Sequence, residues 1–360
     1  MRIGIYDPYL DDLGGGEKYM MTIAEVLSHK HEVSVFWDNK DDFDGLVQRF
    51  GLDMDRVKLT KNIFAAGFNF FDRLQVSKTY DVIIVLSDGS VPIVASKKMF
   101  LHIQQPLSYL SWLSWKERLK AARVTGIFYN SEFTKIYNEK LFSGIRSSVI
   151  YPPVVLHAKD VIKENVILHV GRFRVKNVAG IDDYKKQSVM IEAFKKMVDS
   201  GLVGDWKFVL AVSIKEADKD TFAKLQQFAE GYPIEFLINK TNDELWETYN
   251  KAKIYWHASG FGEDIEAHPE FAEHFGISTV EAMGAGAVPV VFNAGGQKEI
   301  VTEKKNGLLW NTLEELEVKT KLLIDDERFL LQLSEHAKQR AQDFSKDMFS
   351  SEILHLIEKE

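Results

Sequence analysis

The chain has 360 residues, of which 45% are hydrophobic and 27% charged, so it is neither disordered nor fibrous, and its length suits two domains. It contains no cysteine, which excludes disulfides, thiolate nucleophiles and zinc sites with cysteine ligands. The net charge is −8, but residues 1–150 hold 19 basic against 18 acidic side chains, and this balance does not favour nucleic acid as a partner.

The amino-terminal residues 1–7 carry a charge at Arg2 and then have the pattern of a short strand. This beginning does not resemble a cleaved secretion signal. No window approaches the roughly 20 uninterrupted apolar residues that span a bilayer. We therefore expect a cytoplasmic protein.

Short runs of β-branched and aromatic residues alternate with helical patterns in the first half of the chain. The predicted strands cover residues 2–7, 32–37, 81–86, 100–103 and 126–129. Such alternation is typical of α/β proteins with a doubly wound, mostly parallel sheet.

The segment Tyr151-Pro-Pro-Val154 interrupts this pattern, because two prolines remove hydrogen-bond donors and impose an extended backbone. We place a domain boundary there, which gives domains 1–153 and 154–342. The second domain repeats the alternation, with predicted strands at 166–170, 207–211, 234–237, 254–257 and 288–292 and helices at 186–198 and 219–230. Residues 343–360 form an amphipathic helix that is available to pack back on the first domain.

The first glycine-rich loop consists of Gly14, Gly15 and Gly16, directly after the first strand. Bare backbone amides at the start of a helix suit an anion such as phosphate. The alternative is a flexible turn. A dinucleotide fingerprint is disfavoured, since Tyr19 occupies the place of its third glycine.

The segment that follows the first strand of the second domain contains Arg172 and the basic pair Lys185 and Lys186. The planar fork of arginine and the mobile charge of lysine both suit a diphosphate. The alternative is that they are ordinary solvated cations.

A segment of the second domain carries two glutamates, Glu273 and Glu281, eight residues apart. Gly276 breaks the regularity between them, and Ser278 has capping-box spacing to Glu281, so we predict a helix that starts near Ile277. Both carboxylates would then reach ligand hydroxyls from different sides. The alternative is that Glu281 only completes the cap.

Taken in order, these segments resemble the large retaining glycosyltransferase family four. The resemblance runs through residues 14–17, 129–134, 149–154, 171–173, 185–194, 273–281 and 295–301. It implies the GT-B architecture, in which two Rossmann-like doubly wound domains face each other across a deep interdomain cleft.

The resemblance also implies roles for single residues. Arg172 and Lys185 match the residues that hold the donor diphosphate, with Lys186 as the other candidate, while Glu273 matches the contact to the sugar and Glu281 the contact to the nucleotide ribose. The catalytic residues are then Arg172, Lys185 and Glu273, and the donor-binding residues are Gly14, Gly15, Gly16, Gln104, Lys186, Phe275, Gly276, Ile277 and Glu281. No metal ligand and no cofactor are expected.

One departure concerns Gln104, which stands where many mannose-transferring members have a histidine. Glutamine can bind a sugar hydroxyl but cannot carry a proton, so this position does not determine which nucleotide sugar is the donor. Residues 262–278 resemble mannosyltransferases that act on lipid-linked oligosaccharides, which implies GDP-mannose as donor. The alternatives are a UDP-sugar donor (glucose, galactose or N-acetylglucosamine), a sugar-nucleotide epimerase or phosphorylase, and a non-catalytic carbohydrate-binding protein.

The expected partners are a nucleotide sugar and a glycan or lipid-linked acceptor. Residues 97–123 combine basic and aromatic side chains, with a predicted amphipathic helix at 107–122, and residues 64–71 hold four phenylalanines. Aromatic side chains beside cations suit an anionic membrane surface, which would make the protein peripheral on the inner membrane face. The alternative is that the aromatic side chains belong to the core and the cations to a solvated face.

Overall fold

The computed structural model describes residues 1–12, 14–108, 110, 115–177 and 182–359, with residues 175–177 and 182 described by their backbone alone. The chain divides into two compact units. Unit 1 consists of Met1–Pro153 and Lys346–Glu360, and unit 2 consists of Val154–Ser345.

Within its described residues, unit 1 contains one parallel sheet of seven strands in the order β3-β2-β1-β4-β5-β6-β7. The strands are β1 (Arg2–Tyr6), β2 (Glu32–Phe36), β3 (Val57–Thr60), β4 (Val82–Leu86), β5 (Lys98–Ile103), β6 (Gly126–Tyr129) and β7 (Ser147–Val149). Strands β1 and β4 are buried along most of their length because helices cover both faces of the sheet. This order is that of a Rossmann-like fold, whose topological switch point lies between β1 and β4.

The helices of unit 1 connect these strands and close the chain. They are α1 (Gly15–Ser28), α2 (Lys40–Phe50), α3 (Phe70–Ser77), α4 (Trp115–Ala121), α5 (Glu132–Asn138) and, at the carboxyl terminus, α13 (Lys346–Lys359). Helix α13 buries Phe349, Ile353 and Ile357 in the core of unit 1. Lys346 Nζ also lies 2.7 Å from Glu25 Oε2 on α1. The terminal helix is therefore part of unit 1, although the residues that precede it in sequence, Val154–Ser345, belong to unit 2.

In its described part, unit 2 contains a second parallel sheet, of six strands in the order β12-β11-β8-β13-β14-β15. Its strands are β8 (Glu164–Phe173), β11 (Lys207–Ile214), β12 (Ile234–Ile238), β13 (Ala252–His257), β14 (Val288–Phe292) and β15 (Leu308–Trp310), while β9 (Val175–Asn177) pairs antiparallel with β10 (Asp182–Asp183). The sheet repeats the order of the first six strands of unit 1, so its switch point lies between β8 and β13.

The helices of unit 2 lie between and after these strands. They are α6 (Gln187–Asp199), α7 (Lys219–Ala229), α8 (Asn242–Lys251), α9 (Ile277–Gly284), α10 (Gln297–Ile300), α11 (Leu313–Asp325) and α12 (Glu327–Ala341). The core packs around the fully buried Trp256 and Trp310, with Phe194 and Phe208 against the first of them. No helix among the described residues is long and apolar enough to cross a membrane.

The predicted strands are all present, and the two Rossmann-like sheets confirm the predicted fold class. The strands that sequence analysis missed include β3, β7 and β15, which are short and lie at or near sheet edges. The predicted helix at 107–122 is wrong at its beginning, because Leu107, Ser108 and Leu110 are not helical, and the backbone N–H of Leu107 donates to Asn138 Oδ1 at 2.9 Å. The described helix there is α4, and Tyr109 and residues 111–114 lie outside the described residues.

Candidate functional site

The candidate site in unit 2 lies at its topological switch point, where ligands bind in open α/β sheets. The segment after β8 carries Lys185, and the loop after β13 carries Glu273. Their side chains meet, with Lys185 Nζ 2.5 Å from Glu273 Oε2. The two side chains keep 29% and 18% of their surface exposed, so the ion pair is sheltered but can be reached by a ligand. Two residues that lie 88 positions apart in sequence thus form the centre of the site.

A histidine that sequence analysis did not single out completes this cluster. His257, the buried last residue of β13, places Nε2 at 2.8 Å from the same Glu273 oxygen and 3.2 Å from Ser259 Oγ. Burial lowers the pKa of His257 and outweighs the opposite effect of Glu273, so the ring is neutral and donates from Nε2. Its Nδ1 is buried without a hydrogen-bond partner in the described structure, which fits the neutral tautomer.

The protonation state of Glu273 follows from the same contacts. Burial by itself raises the pKa of this carboxyl group, but the charge of Lys185 and the hydrogen bond from His257 outweigh burial and hold the pKa well below its usual range. Glu273 is therefore a carboxylate at neutral pH. A fixed negative charge that accepts two hydrogen bonds on one oxygen can also accept hydrogen bonds from ligand hydroxyls.

Asp183 holds the backbone around Lys185 in place through hydrogen bonds. Its buried carboxylate accepts hydrogen bonds from the backbone N–H groups of Lys185 and Gln187, each at 3.0 Å. Lys186 adopts a left-handed conformation with φ of 55° immediately before α6. Its ammonium group lies 2.6 Å from Glu263 Oε1, and the two side chains are only 10% and 13% exposed. Of the two lysine candidates, Lys185 is thus the more exposed one.

Arg172 lies on the exposed surface near the carboxyl end of β8. The adjoining Gly171 brings this strand close to the cluster, because a Cβ atom at that position would lie 3.4 Å from Lys185 Cγ. Arg172 is the next residue of this strand, and neighbouring side chains of a strand point to opposite faces. Guanidinium and ammonium groups suit a diphosphate, which makes Arg172 and Lys185 candidates for its recognition.

The turn that carries Glu273 is held by close packing of glycine backbone. Gly296 donates its N–H to Glu273 O at 2.8 Å, and a Cβ atom on it would lie 2.4 Å from Phe275 Cα. Gly295 is equally close, since its Cβ atom would lie 2.2 Å from Glu273 O and its φ is 60°. These two glycines are needed because another backbone segment passes directly over them. They fix the position of the glutamate.

Helix α9 begins at Ile277 as predicted, but without the predicted capping box. The residue before the helix, Gly276, has φ of 123° and provides no side-chain cap. Ser278 shares a hydrogen bond of 2.8 Å with Tyr255 instead, and Glu281 accepts one of 2.8 Å from the hydroxyl of Tyr249. The capping interpretation of Glu281 is wrong, because tertiary partners on β13 and α8 take both side chains.

The remaining site residues predicted for unit 2 occupy different surroundings. Phe275 is buried and packs edge-on against Phe344 at a ring distance of 5.3 Å, so its side chain serves the core. Ile277 is half-buried at the first turn of α9. Gly276 closely contacts Gln297, whose Nε2 would lie 2.6 Å from a Cβ atom at residue 276. Phe275 and Gly276 are buried, so of these three residues Ile277 alone keeps a partly exposed surface.

Unit 1 brings the glycine-rich loop and Gln104 together at its own switch point. Gly14 precedes α1 and donates its N–H to Glu17 Oε2 at 2.6 Å, with Gly15 as the first helical residue. Gln104 Nε2 donates to Gly16 O at 3.3 Å, and a Cβ atom on Gly16 would lie 2.6 Å from Gln104 Oε1. A side chain at residue 16 would therefore displace the amide group of Gln104 from this position.

The imidazole nearest to Gln104 in sequence, His102, is a core residue. It is fully buried and stacks on Tyr19 at a ring distance of 4.0 Å, while Nδ1 lies 3.0 Å from Phe128 O. Burial lowers the pKa of His102 to about 3, so it stays neutral and is not positioned to replace the missing proton carrier.

Among the described residues, no group of three His, Asp or Glu side chains is placed to hold a metal ion. The residues that sequence reasoning missed are Asp183, His257 and Tyr249. His257 could have been found, because it ends a predicted strand at the carboxyl edge of the sheet, where ligands bind. Asp183 and Tyr249 have no comparable signal, since their roles depend on contacts that only the folded unit creates.

Known proteins are similar to this chain over most of its length. The GDP-Man:Man(3)GlcNAc(2)-PP-Dol alpha-1,2-mannosyltransferase of Dictyostelium discoideum is 25% identical, over 99% of this chain and 84% of the relative. The GalNAc-alpha-(1->4)-GalNAc-alpha-(1->3)-diNAcBac-PP-undecaprenol alpha-1,4-N-acetyl-D-galactosaminyltransferase of Campylobacter jejuni is 24% identical, over 96% of this chain and 95% of the relative.

Among solved structures, HepE from Anabaena in complex with UDP and glucose superposes with a TM-score of 0.69 at 18% identity, and each chain is covered completely. This likeness and the two Rossmann-like sheets establish the GT-B fold. The family described as glycosyl transferases group 1 matches residues 158–341, which is just over half of the chain. The chain belongs to the group 1 glycosyl transferases and is a glycosyltransferase.

Proposed function

We propose that this glycosyltransferase moves mannose from GDP-mannose, with retention of configuration, to a hydroxyl group of a glycan or lipid-linked glycan. The observation that carries the proposal is the Lys185–Glu273 ion pair at the switch point of unit 2. Glu281 lies eight residues after Glu273, on helix α9. The proposal draws on the similarity to relatives whose names specify GDP-Man and PP-Dol-linked acceptors.

The proposed reaction breaks the bond between the sugar C1 and the donor phosphate and forms a bond from C1 to the acceptor oxygen. Charge develops on the departing diphosphate, and Arg172 and Lys185 stabilise it. Glu273 accepts hydrogen bonds from sugar hydroxyls, and Glu281 from the ribose. Each charge-assisted hydrogen bond of this kind contributes roughly 1.5 to 3 kcal/mol.

The surroundings of Glu273 argue against its use as a nucleophile. One of its oxygens accepts a hydrogen bond from His257, which remains when Lys185 turns to the diphosphate, and the proposed hydrogen bonds from sugar hydroxyls occupy further lone pairs, so its electron pairs are poorly available for attack on carbon. We therefore favour attack by the acceptor hydroxyl on the face from which the nucleotide leaves. The acceptor proton passes to the departing phosphate.

The proposed reaction uses no metal ion, because Arg172 and Lys185 supply the positive charge at the diphosphate. Dialysis against EDTA tests this part of the proposal. Transfer should continue at its original rate, and loss of activity that manganese or magnesium restores would contradict it.

A UDP-sugar donor is the second candidate. It is favoured by the UDP and glucose in the HepE structure and by the N-acetylgalactosaminyl transfer in the name of the Campylobacter relative. GDP, UDP, GDP-mannose and UDP-glucose should be compared by the thermal stabilisation that each gives to the protein. The proposal expects the largest shift with GDP-mannose. A larger shift with the uridine compounds would favour the second candidate, and no shift with any of them would contradict both.

Substitution then tests the assigned roles of the two cations. Arg172→Ala and Lys185→Ala should each lower turnover with the best donor by on the order of 100-fold, because each removes stabilisation of the leaving group. Melting temperatures close to that of the original protein would show that the fold is retained. Near-normal turnover in both variants would remove the basis for the diphosphate site.

We place the acceptor on unit 1, where α3 and α4 each expose apolar side chains and α4 also exposes basic ones. Phe71, Trp115 and Leu119 are 76%, 68% and 64% exposed, and Lys116 and Arg118 lie exposed between the last two. Both helices hold the segment 91–95, through bonds from Ala95 N to α3 and from Val91 N to α4. Exposed aromatic side chains beside cations suit an anionic membrane, at roughly 1 kcal/mol per basic residue.

Other aromatic residues of the same region belong to the core. Phe64 stacks on Tyr6 at a ring distance of 4.2 Å, and Phe68 packs against the core cluster under the sheet. The membrane proposal therefore rests on α3 and α4. Vesicle sedimentation should show binding that needs anionic lipid, weakens with salt and falls in the double variant Lys116→Glu/Arg118→Glu. Equal sedimentation with neutral vesicles, or none with either kind, would contradict it.

A further inference from the structure

The tyrosine at residue 249 on α8 hydrogen-bonds one of the two glutamates of the site. Its hydroxyl group donates to Glu281 Oε2 at 2.8 Å, across 32 residues of sequence. The tyrosine ring is completely buried, whereas Glu281 is half-buried and keeps an accessible surface. Burial and the neighbouring carboxylate raise the pKa of Tyr249 well above its usual value, so the phenol keeps its proton and is the donor.

The position of this hydroxyl group is fixed by the packing of α8. Trp246, one turn earlier, is buried and lies 5.3 Å from the tyrosine ring. Asn250, the next residue, is buried and ties the helix to the start of unit 2, since it accepts from Lys159 N at 2.8 Å and donates to His157 O at 3.2 Å. A ring held between such neighbours loses little further entropy when it forms a hydrogen bond. The tyrosine is thus a rigid support.

Glu281 by contrast depends on its partners for its orientation. A glutamate side chain has three rotatable bonds, and because Glu281 is half-buried, rotation about them can point its carboxylate in several directions. A carboxylate offers about four acceptor sites on two oxygens. The hydrogen bond from Tyr249 takes one of these sites and so fixes the plane in which the others are presented.

We infer that Tyr249 is a positioning residue that orients Glu281 toward the ribose and thereby makes the enzyme prefer ribonucleotides to deoxyribonucleotides. This inference rests on the proposed function, in which Glu281 accepts hydrogen bonds from the nucleotide ribose. A site built to bind a hydroxyl group discriminates strongly against a ligand that lacks it, because its buried acceptor is then left without a partner. Such discrimination requires that the acceptor is held in place.

A purely structural role would give the same hydrogen bond but a different response to substitution. Buried tyrosine hydroxyls almost always have partners, as the hydroxyl of Tyr255 does with Ser278. If Tyr249 only satisfied its own hydroxyl group, its loss would lower stability and leave the selectivity for ribose unchanged. The ratio of the affinities for ribose and deoxyribose forms therefore separates the two roles.

The experiment measures dissociation constants of the full chain and its Tyr249→Phe variant by calorimetry. The probes are GDP and UDP, each with its 2′-deoxy and 3′-deoxy forms, and the series used is the one whose parent binds the original protein more tightly. Phenylalanine removes only the hydroxyl group and keeps the ring that fills the core. Tyr232→Phe is the matched control, because the hydroxyl of Tyr232 donates to the carboxylate of Asp199 at 3.1 Å on the surface of the same unit.

We expect Tyr249→Phe to weaken binding of the ribonucleotide about tenfold, as befits a hydrogen bond to a charged group. Binding of at least one deoxy form should barely change, so that the preference for ribose shrinks by about the same factor. Tyr232→Phe should leave all constants unchanged. An unchanged preference for ribose, or equal weakening of every probe, would overturn the inference. Failure of the original protein to bind any of these nucleotides would instead contradict the proposed function.

Should the variant unfold, Glu281→Gln gives a second measurement that keeps the tyrosine in place. The amide oxygen can still accept from Tyr249, but the carboxylate charge is lost. The preference for ribose should fall with this substitution as well, because the assigned acceptor is weakened. If the preference stays unchanged, Glu281 does not contact the ribose and Tyr249 has nothing to position.

Discussion

The Lys185–Glu273 ion pair should stabilise unit 2 by an amount that a double-mutant cycle can measure. The cycle consists of Lys185→Met, Glu273→Gln and the double variant. Methionine keeps the length of the lysine chain without its charge, and glutamine keeps an oxygen that can accept from His257. Each single variant leaves one charge without its partner, whereas the double variant leaves neither charge.

The expected magnitude follows from the distance and the exposure of the pair. At 2.5 Å, Coulomb attraction in an effective dielectric of about 20 amounts to roughly 6 to 7 kcal/mol before desolvation is subtracted. Exposed pairs retain about 0.2 to 1 kcal/mol, and breaking a buried pair costs about 3 to 5 kcal/mol. With side chains 29% and 18% exposed, this pair lies between these cases. We therefore expect a coupling free energy of about 2 kcal/mol, near the middle of that range.

The assay is urea unfolding at neutral pH, followed by tryptophan fluorescence in all four proteins. The matched control is the Lys196–Glu317 pair of the same unit, at 3.1 Å, where the lysine is 56% exposed. Its coupling should stay below about 1 kcal/mol. A coupling of less than about 0.5 kcal/mol for Lys185 and Glu273, no larger than the control, would refute this reasoning about burial.

The same coupling should depend on pH in one direction. The pKa of Glu273 is lower in the folded protein than in the unfolded chain, so the folded state binds fewer protons as the group titrates. The stabilisation is complete above the unfolded pKa of about 4.3 and is lost as the pH falls through the lower folded value. Measurements between pH 7 and 5 should consequently give the same coupling.

Three further predictions concern the site and its support. Glu273→Gln should tighten binding of GDP by about tenfold, because the carboxylate that competes with the diphosphate for Lys185 is removed, while the rate of transfer falls. Calorimetry measures the binding, and weaker binding by the variant would contradict competition between Glu273 and the diphosphate. Gly296→Ala should lower the rate of transfer at least tenfold, since its Cβ atom would collide with backbone 2.4 Å away. Gly45→Ala is the control and should leave the rate unchanged, because no atom lies within 4 Å of its Cβ position. Equal rates in the two variants would contradict the packing argument. Burial lowers the pKa of Lys163 to about 7 in the folded protein, so between pH 7 and 9 the unfolded chain binds a proton that the folded state has lost. The free energy of unfolding should therefore rise by up to about 1.4 kcal/mol per pH unit relative to Lys163→Met. Parallel pH profiles of the two proteins would contradict the lowered pKa.

The strands could be predicted because hydrophobic runs in a parallel sheet are short, continuous and separated by polar turns. Strands β1, β4 and β13 are of this kind and were found close to their true limits. Strand β3 has no fully buried residue, and β7 has only three residues, all half-buried. Edge strands like these carry too few apolar residues to differ from loops. The missed elements therefore reflect partial burial in the folded sheet, which a local pattern cannot show.

The site was predictable only as far as its residues lie at strand ends. Lys185 and Glu273 follow β8 and β13, and the rule that ligands bind at the carboxyl ends of strands indicates both of them. That they bind each other, with His257 on the same oxygen, depends on strand order and could not be predicted from local spacing. The capping box failed for the same reason, because Tyr249 competes successfully for Glu281 from another helix. Long-range partners displaced a local interaction.

The two lysines before α6 differ in how easily they can change partners, and this difference favours Lys185 as the diphosphate ligand. Both are neutralised by glutamates from the loop after β13, so a diphosphate has to displace a carboxylate from whichever lysine it binds. The Lys186–Glu263 pair is only 10% and 13% exposed, and its separation would leave an uncompensated charge in a buried place. Lys185 and Glu273 are more exposed, and His257 remains on Glu273 after the lysine turns away. The free energy of exchange is therefore lower at Lys185, while Lys186 and its left-handed backbone hold the loop in position.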